Sequence, residues 1–197
     1  MNKIIAINNS KIKKRNSQIK KYDINKILNF IDKIYLINLD ERKERLKNVL
    51  TQFKLYNINN YKRFSAIKPK FDKIDPIIYK NYSTHLSNNK EKYIIGATGC
   101  KFSHRDIIKD ALNNNYESIL IFEDDINFSD NFLIGLNYFI NKTSSLDWDM
   151  LYLGGRNKKR IDNLCSPTEF SNIYKCNQVK CTHAYMIKRK LFSKILK

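Results

Sequence analysis

The sequence predicts an α/β domain built on a largely parallel sheet flanked by helices. Three observations carry that expectation. Short apolar runs of strand length recur along the chain, as at residues 34–39, 118–122 and 150–153. Segments with helical apolar spacing alternate with them, and alternation of this kind is the pattern of a layered α/β fold. The polar residues that carry chemistry follow the apolar runs rather than precede them, and ligands in open α/β sheets bind beyond the carboxyl ends of the strands.

Taken in order, residues 1–29 form a lead-in with a basic cluster at Lys11, Lys13, Lys14, Arg15, Lys20 and Lys21, and residues 30–197 form the main domain. Residues 33–39 are the first buried strand. Asp40 stands where a helix N-cap belongs. Leu46, Val49, Leu50 and Phe53 recur at helical spacing, which predicts an amphipathic helix over residues 41–54. Residues 61–67 are a second strand, and residues 68–92, with Pro69 and Pro76, a long surface excursion. Gly96 to Gly99 open a helix in which Cys100, Ile107, Ala111 and Leu112 share a face. His104 lies beside these core residues and is read as a structural histidine.

Residues 118–125 are the centre of the chain: a strand, Ser118 to Phe122, running into the three carboxylates Glu123, Asp124 and Asp125. Adjacent acids repel unless water or a divalent cation separates their charges. Strand alternation would turn Glu123 and Asp125 one way and Asp124 the other. A helix over residues 132–140, a strand over 149–153 closed by Gly154 and Gly155, strands over 173–176 and 182–187, and a terminal helix over 188–197 complete the chain. Asp147 and Asp149 enter their strand and are read as structural.

The +18 net charge accompanies many Lys, Asn, Ile and Tyr residues, a composition that inflates lysine everywhere. It favours anionic ligands in general without selecting nucleic acid. The 42% hydrophobic and 12% aromatic content excludes a disordered chain. The four cysteines have neither CxxC pairing nor zinc-finger spacing; Cys176 and Cys181 are either bridged or separately buried. No signal-peptide pattern and no apolar run of membrane-spanning length is visible, so an intracellular location is the default expectation.

In a parallel sheet, Asn38, Asp40, Glu41 and Arg42, then Glu123 to Asp125, then Gly154, Gly155 and Arg156 would leave strands at one rim. Carboxylates that hold a cation, facing Arg42 and Arg45, suit a metal-bound diphosphate.

The order Tyr35-Leu36-Ile37-Asn38-Leu39-Asp40, Arg42, Arg45, Arg63-Phe64-Ser65-Ala66-Ile67, Gly96, Gly99-Cys100, Ser103-His104, Phe122-Glu123-Asp124-Asp125, Asp147-Trp148-Asp149, Leu151-Tyr152-Leu153-Gly154 and Thr182-His183-Ala184-Tyr185 resembles family 25 glycosyltransferases. The resemblance implies a GT-A type fold, a UDP-galactose or UDP-glucose donor, a saccharide or hydroxylysine hydroxyl as acceptor, and inversion at the anomeric carbon. It also implies Mn²⁺ held by the acidic motif Glu123-Asp124-Asp125, of which alternation selects Glu123 and Asp125, with His183 as a late ligand. Asn38, Arg42, Arg45, Gly154 and Gly155 would bind the donor, and Asp124 is the carboxylate offered as base. Glu41 and Ala97 depart from the family pattern, which often has Arg and Glu there. The rival readings are a basic nucleic-acid- or membrane-binding protein and a degenerate transferase without turnover.

Overall fold

The computed structural model describes residues 4–7, 22–82, 89–154, 165–179 and 181–197. Gly155, Arg156 and the basic cluster between Lys11 and Lys21 lie outside the described residues. Among the described residues, eight strands form one mixed sheet in the order β3-β2-β4-β8-β5-β1-β7-β6. They are β1 (Ile4–Ile7), β2 (Lys33–Asn38), β3 (Tyr61–Ser65), β4 (Ser118–Glu123), β5 (Met150–Gly154), β6 (Cys165–Pro167), β7 (Ile173–Cys176) and β8 (Ala184–Lys188). The helices are α1 (Ile24–Ile27), α2 (Lys43–Leu55), α3 (Pro76–Tyr82), α4 (Lys90–Asn113), α5 (Phe132–Thr143) and α6 (Phe192–Leu196).

Most strands run in one direction. β2 pairs in parallel with β3 and β4, and β1 with β5, whereas β8 is antiparallel to both β4 and β5, and β7 is antiparallel to β1 and β6. The carboxyl ends of β2, β4 and β5 therefore share an edge of the sheet, and the amino end of β8 meets them there.

Strand alternation divides the core into two layers. Leu36, Leu120, Phe122, Leu151 and Met186 face one side, where Val49 and Phe53 of α2 and Leu136 and Phe139 of α5 cover them. Tyr35, Ile37, Ile119, Ile121, Tyr152, Tyr185 and Ile187 face the other, under Ile107, Ile108 and Ala111 of α4 and Phe192 of α6. Burial on both faces is why β4 is a continuous apolar run rather than an alternating one.

Several local expectations are corrected. Ile4–Ile7, within the segment read as a lead-in, is a strand paired on both sides. Asp40 does not cap α2: its carboxylate is bound by Arg63 and by Ser65 Oγ at 2.7 Å, and the cap position is Arg42, with no side-chain cap bond. The excursion after β3 contains a short 3-10 turn, Phe71–Lys73, and α3. α4 starts at Lys90 rather than near Gly96, because Asn89 caps it by accepting from Lys92 N at 3.0 Å. Gly99 is then an interior helix residue with a packing purpose: a Cβ there would lie 2.2 Å from the Ile67 carbonyl oxygen. Cys176 pairs with Cys165, not Cys181, because antiparallel β6 and β7 bring those two residues opposite each other. Cys100 and Cys181 are free and exposed.

Candidate active site

Beyond the carboxyl ends of β2 and β4 lies a cleft of about 300 Å³, with the β2–α2 turn on one side and α4 on the other. Asn38, Arg42, Arg45, Glu123, Asp124 and Asp125 all line it, so the structure brings these sequence-derived residues together. α4 adds Gly96, Gly99, Cys100, Ser103 and His104.

The three acids have three different environments. β4 ends at Glu123, and Asp124 and Asp125 lie in the turn that follows, so strict alternation stops at the first acid. Glu123 continues the Ile119–Ile121 side and reaches α4, where His104 Nε2 lies 3.1 Å from Oε1. Thr182 Oγ1 donates to the same oxygen at 2.7 Å. Burial pushes the Glu123 carboxyl up, but the bonds from His104 and Thr182 outweigh it and hold the group below its ordinary range. Burial likewise disfavours the charged His104 imidazole. Hydrogen bonds to Cys100 and Glu123, with their charges, outweigh that and raise it to about 9. Tyr185 OH fixes the other ring nitrogen, Nδ1, at 2.9 Å.

Asp124 turns to the β2 side. Asn38, itself buried, donates from Nδ2 to Asp124 Oδ2 at 2.7 Å, and Arg45 approaches Oδ1 at 3.3 Å. Asn38 is held in turn by Arg63, which donates to its Oδ1 at 2.9 Å. Arg63 also pairs with Asp40, whose carboxyl is lowered chiefly by that hydrogen bond. A chain Asp40–Arg63–Asn38–Asp124–Arg45 therefore fixes this wall, and of it only Asn38, Arg45 and Asp124 were singled out in the sequence as site residues. Arg63 carried a signal: it sits one strand over from Asn38, on a strand of the same direction.

Asp125 is the open carboxylate. Its side chain is 51% exposed, and its ion pair with Arg45 is long, at 3.9 Å. It also borders a second cavity of about 360 Å³ that contains Phe128, Phe132, Gly154 and His183. His183 reaches this rim because β8 is antiparallel; Glu123 N donates to its carbonyl at 2.9 Å. Its imidazole lies against Gly154, where a Cβ would come within 2.7 Å of Nε2. The loop between the acids and α5 is anchored on α2: Gln52 Oε1 accepts from Phe128 N at 2.7 Å, and Tyr56 OH donates to Ser129 O at 3.2 Å.

Among the described residues, the group of His, Cys, Asp or Glu ligand atoms lying within 4.8 Å of one another is Cys100, His104 and Glu123. Glu123, Asp125 and His183 share the rim without forming so tight a set. The Cys100–His104 pair, four residues apart on one helix, was visible in the sequence; its meeting with Glu123 depends on how α4 crosses the sheet.

A mostly parallel sheet with an acidic turn after its central strand, beside arginines from the turn and helix that follow β2, is consistent with a GT-A type fold. The chain belongs to glycosyltransferase family 25 (LPS biosynthesis protein), whose model matches residues 31–197. It is 30% identical over 141 residues to procollagen galactosyltransferase 1-A of Xenopus laevis, covering 66% of this chain and 22% of that protein. It is 36% identical over 97 residues to a putative glycosyltransferase of Haemophilus influenzae, covering 49% of this chain and 33% of that one. The inactive glycosyltransferase 25 family member 3 of Mus musculus is 34% identical over 61 residues, covering 30% of this chain and 10% of that protein. The chain thus spans about a fifth of the length of the procollagen galactosyltransferases it matches. No helix among the described residues is long and apolar enough to cross a membrane.

Proposed function

We propose that this domain transfers a hexose from UDP-galactose or UDP-glucose to a hydroxyl of a saccharide or a hydroxylysine, with inversion and with a divalent metal, Mn²⁺, as cofactor. The observation that carries the reading is the placement of Arg42 and Arg45 in one cleft with Glu123, Asp124 and Asp125. Carboxylates alone would repel a diphosphate, and arginines alone would need no acids beside them. Together they suit a metal-bound diphosphate.

The donor set fits a hard divalent cation. Asp125 is open, and both bonds to Glu123 land on Oε1, which leaves Oε2 for a ligand. His183 shares the second cavity with Asp125. Asp125, Glu123 and His183 would hold the ion, which supplies neutralisation of the charge gathering on the departing UDP. Arg42 and Arg45 bind phosphate oxygens, and the buried Asn38 keeps the wall rigid. Gly154 leaves room for the His183 ring, and Gly155 is the other glycine we assign to the donor.

Asp124 is our proposed base, and its bonds set a condition on that role. Oδ2 accepts from Asn38 and Oδ1 from Arg45, so a proton can be taken only on the lone pairs that those two donors leave open. A diphosphate that draws Arg45 toward itself frees Oδ1, which couples donor binding to activation of the acceptor hydroxyl.

The test is release of UDP from a panel of UDP-sugars, with Mn²⁺ and with a chelator. Metal-dependent release from one sugar supports the reading. A second reading, a transferase fold without turnover, draws on the likeness to relatives named inactive. UDP binding without release from any sugar, with saccharide and hydroxylysine acceptors supplied, would favour it. The basic nucleic-acid- or membrane-binding alternative would require binding to duplex DNA or anionic vesicles that survives physiological salt.

A further inference from the structure

We infer that Cys100, His104 and Glu123 form a three-ligand site for a divalent cation of the zinc class, on the α4 wall of the cleft, sharing Glu123 with the donor-metal set. Thiolate, imidazole and carboxylate together are a donor set that zinc selects and that Mn²⁺ does not favour. The three ligand atoms already lie within 4.8 Å of one another. His104 Nε2 and Glu123 Oε1 are 3.1 Å apart, close to the separation of about 3.3 Å between ligands that bind one tetrahedral ion at 2.0–2.1 Å.

The outer partners are in place as well. Metal-bound histidine usually commits its second nitrogen to a polar group, and His104 Nδ1 is already on Tyr185 OH at 2.9 Å. Ligating carboxylates are hydrogen-bonded in turn, and Thr182 Oγ1 holds Glu123 at 2.7 Å. The same hydroxyl lies 3.9 Å from Cys100 Sγ; with its one proton on Glu123, that contact has the thiol as donor and is given up when the thiolate forms. Tyr185 is wholly enclosed between the sheet and α4, which fixes the ring it contacts.

Binding replaces protons with the ion. Cys100 gives up its thiol proton and His104 its Nε2 proton, both to solvent, while Nδ1–H goes on donating to the Tyr185 oxygen. Three protein ligands leave a fourth position toward the cleft for water or another small donor. Zinc binding itself does not depend on the transferase reading. If that reading holds, the ion would take Glu123 away from the donor-metal set, and zinc would antagonise Mn²⁺.

The experiment is a titration of the reduced full chain with Co²⁺ alone, followed by near-ultraviolet thiolate-to-cobalt absorption, then displacement by Zn²⁺. The expected result is one equivalent of absorbing Co²⁺, displaced by Zn²⁺. Cys100→Ser should abolish the signal, and Cys181→Ser, which removes the other exposed free thiol, should leave it intact. Tyr185→Phe should weaken zinc roughly 10–100-fold, the effect of losing an outer partner. No thiolate absorption in the parent would overturn the inference. So would a signal that follows Cys181 instead of Cys100. Neither outcome bears on UDP release, so the two proposals fail separately.

Discussion

Two aspartates at opposite ends of β4 and β5, strands of the same direction with β8 between them, show how this molecule divides its work. Asp149 precedes β5 and is 7% exposed, with Lys190 Nζ at 2.5 Å from its carboxylate and its carbonyl accepting from Lys188 N. Asp125 follows β4 and is half exposed, and among the described residues its ion pair is a long approach from Arg45. Around Asp149 the charges are matched locally: Lys190 also meets Asp147 at 3.2 Å, and Lys188 lies over Trp148 at 4.0 Å. Around Asp124 and Asp125 the matching is loose, and Arg45 serves both. A paired, enclosed acid contributes to folding, whereas a loosely paired acid on a cleft is available to a ligand.

The largest expected effect removes what both ends share. Phe122 is fully buried, and its ring meets Phe53 and Phe128 edge-on at 5.6 and 5.5 Å. Phe122→Ala should cost about 3–5 kcal/mol in urea unfolding and loosen the turn that carries the acids. A loss under about 1 kcal/mol would mean that β4 is not the common support.

Gly99→Ala should come next, because a Cβ would meet the Ile67 backbone and force α4 away from the β3 wall. We expect a loss of about 1–3 kcal/mol, together with a raised KM for the donor, since Ile67 and Lys68 line the cleft. A stability loss with an unchanged KM would confine this contact to folding, like Asp149.

The smallest effect is a pH dependence. His104 has its folded value raised from 6.5 to about 9, so its stabilising contribution is fully present below about pH 6.5 and fades as pH rises through about 9. Glu123 has its folded value lowered, so its contribution is present above the ordinary carboxyl value and is lost on acidification. Melting temperature of the parent should therefore decline more steeply than that of His104→Gln between pH 6.5 and 9. Parallel curves would show that the His104–Glu123 contact is not formed in solution.

Much of this division was legible in the sequence. The apolar runs of β2, β4 and β5 placed Asn38, Glu123 to Asp125 and Gly154 at strand ends without reference to tertiary structure, because doubly buried strands leave few polar positions of their own. What was not legible depended on pairing partners. A four-residue apolar run such as Ile4–Ile7 has no periodicity to distinguish it from a tail, and its place between β5 and β7 is set by the sheet. The Cys165–Cys176 bridge required the antiparallel β6–β7 register. His104 looked like a core histidine because its helix face is apolar; its partners Glu123 and Tyr185 come from β4 and β8. Asp40 had the right position for a helix cap, and Arg63 and Ser65 on the neighbouring strand took it instead.

The most direct test compares Asp125→Asn and Asp149→Asn with the parent, measuring UDP release and melting temperature on the same samples. Asp125→Asn should lose nearly all turnover while melting close to the parent, since it removes an anionic ligand and little packing. Asp149→Asn should keep turnover and lose about 1 kcal/mol of stability, as its partially exposed Lys190 loses one of two acids. Retention of most activity by Asp125→Asn, or loss of activity by Asp149→Asn without a fall in melting temperature, would contradict the assignment of chemistry to the acidic turn.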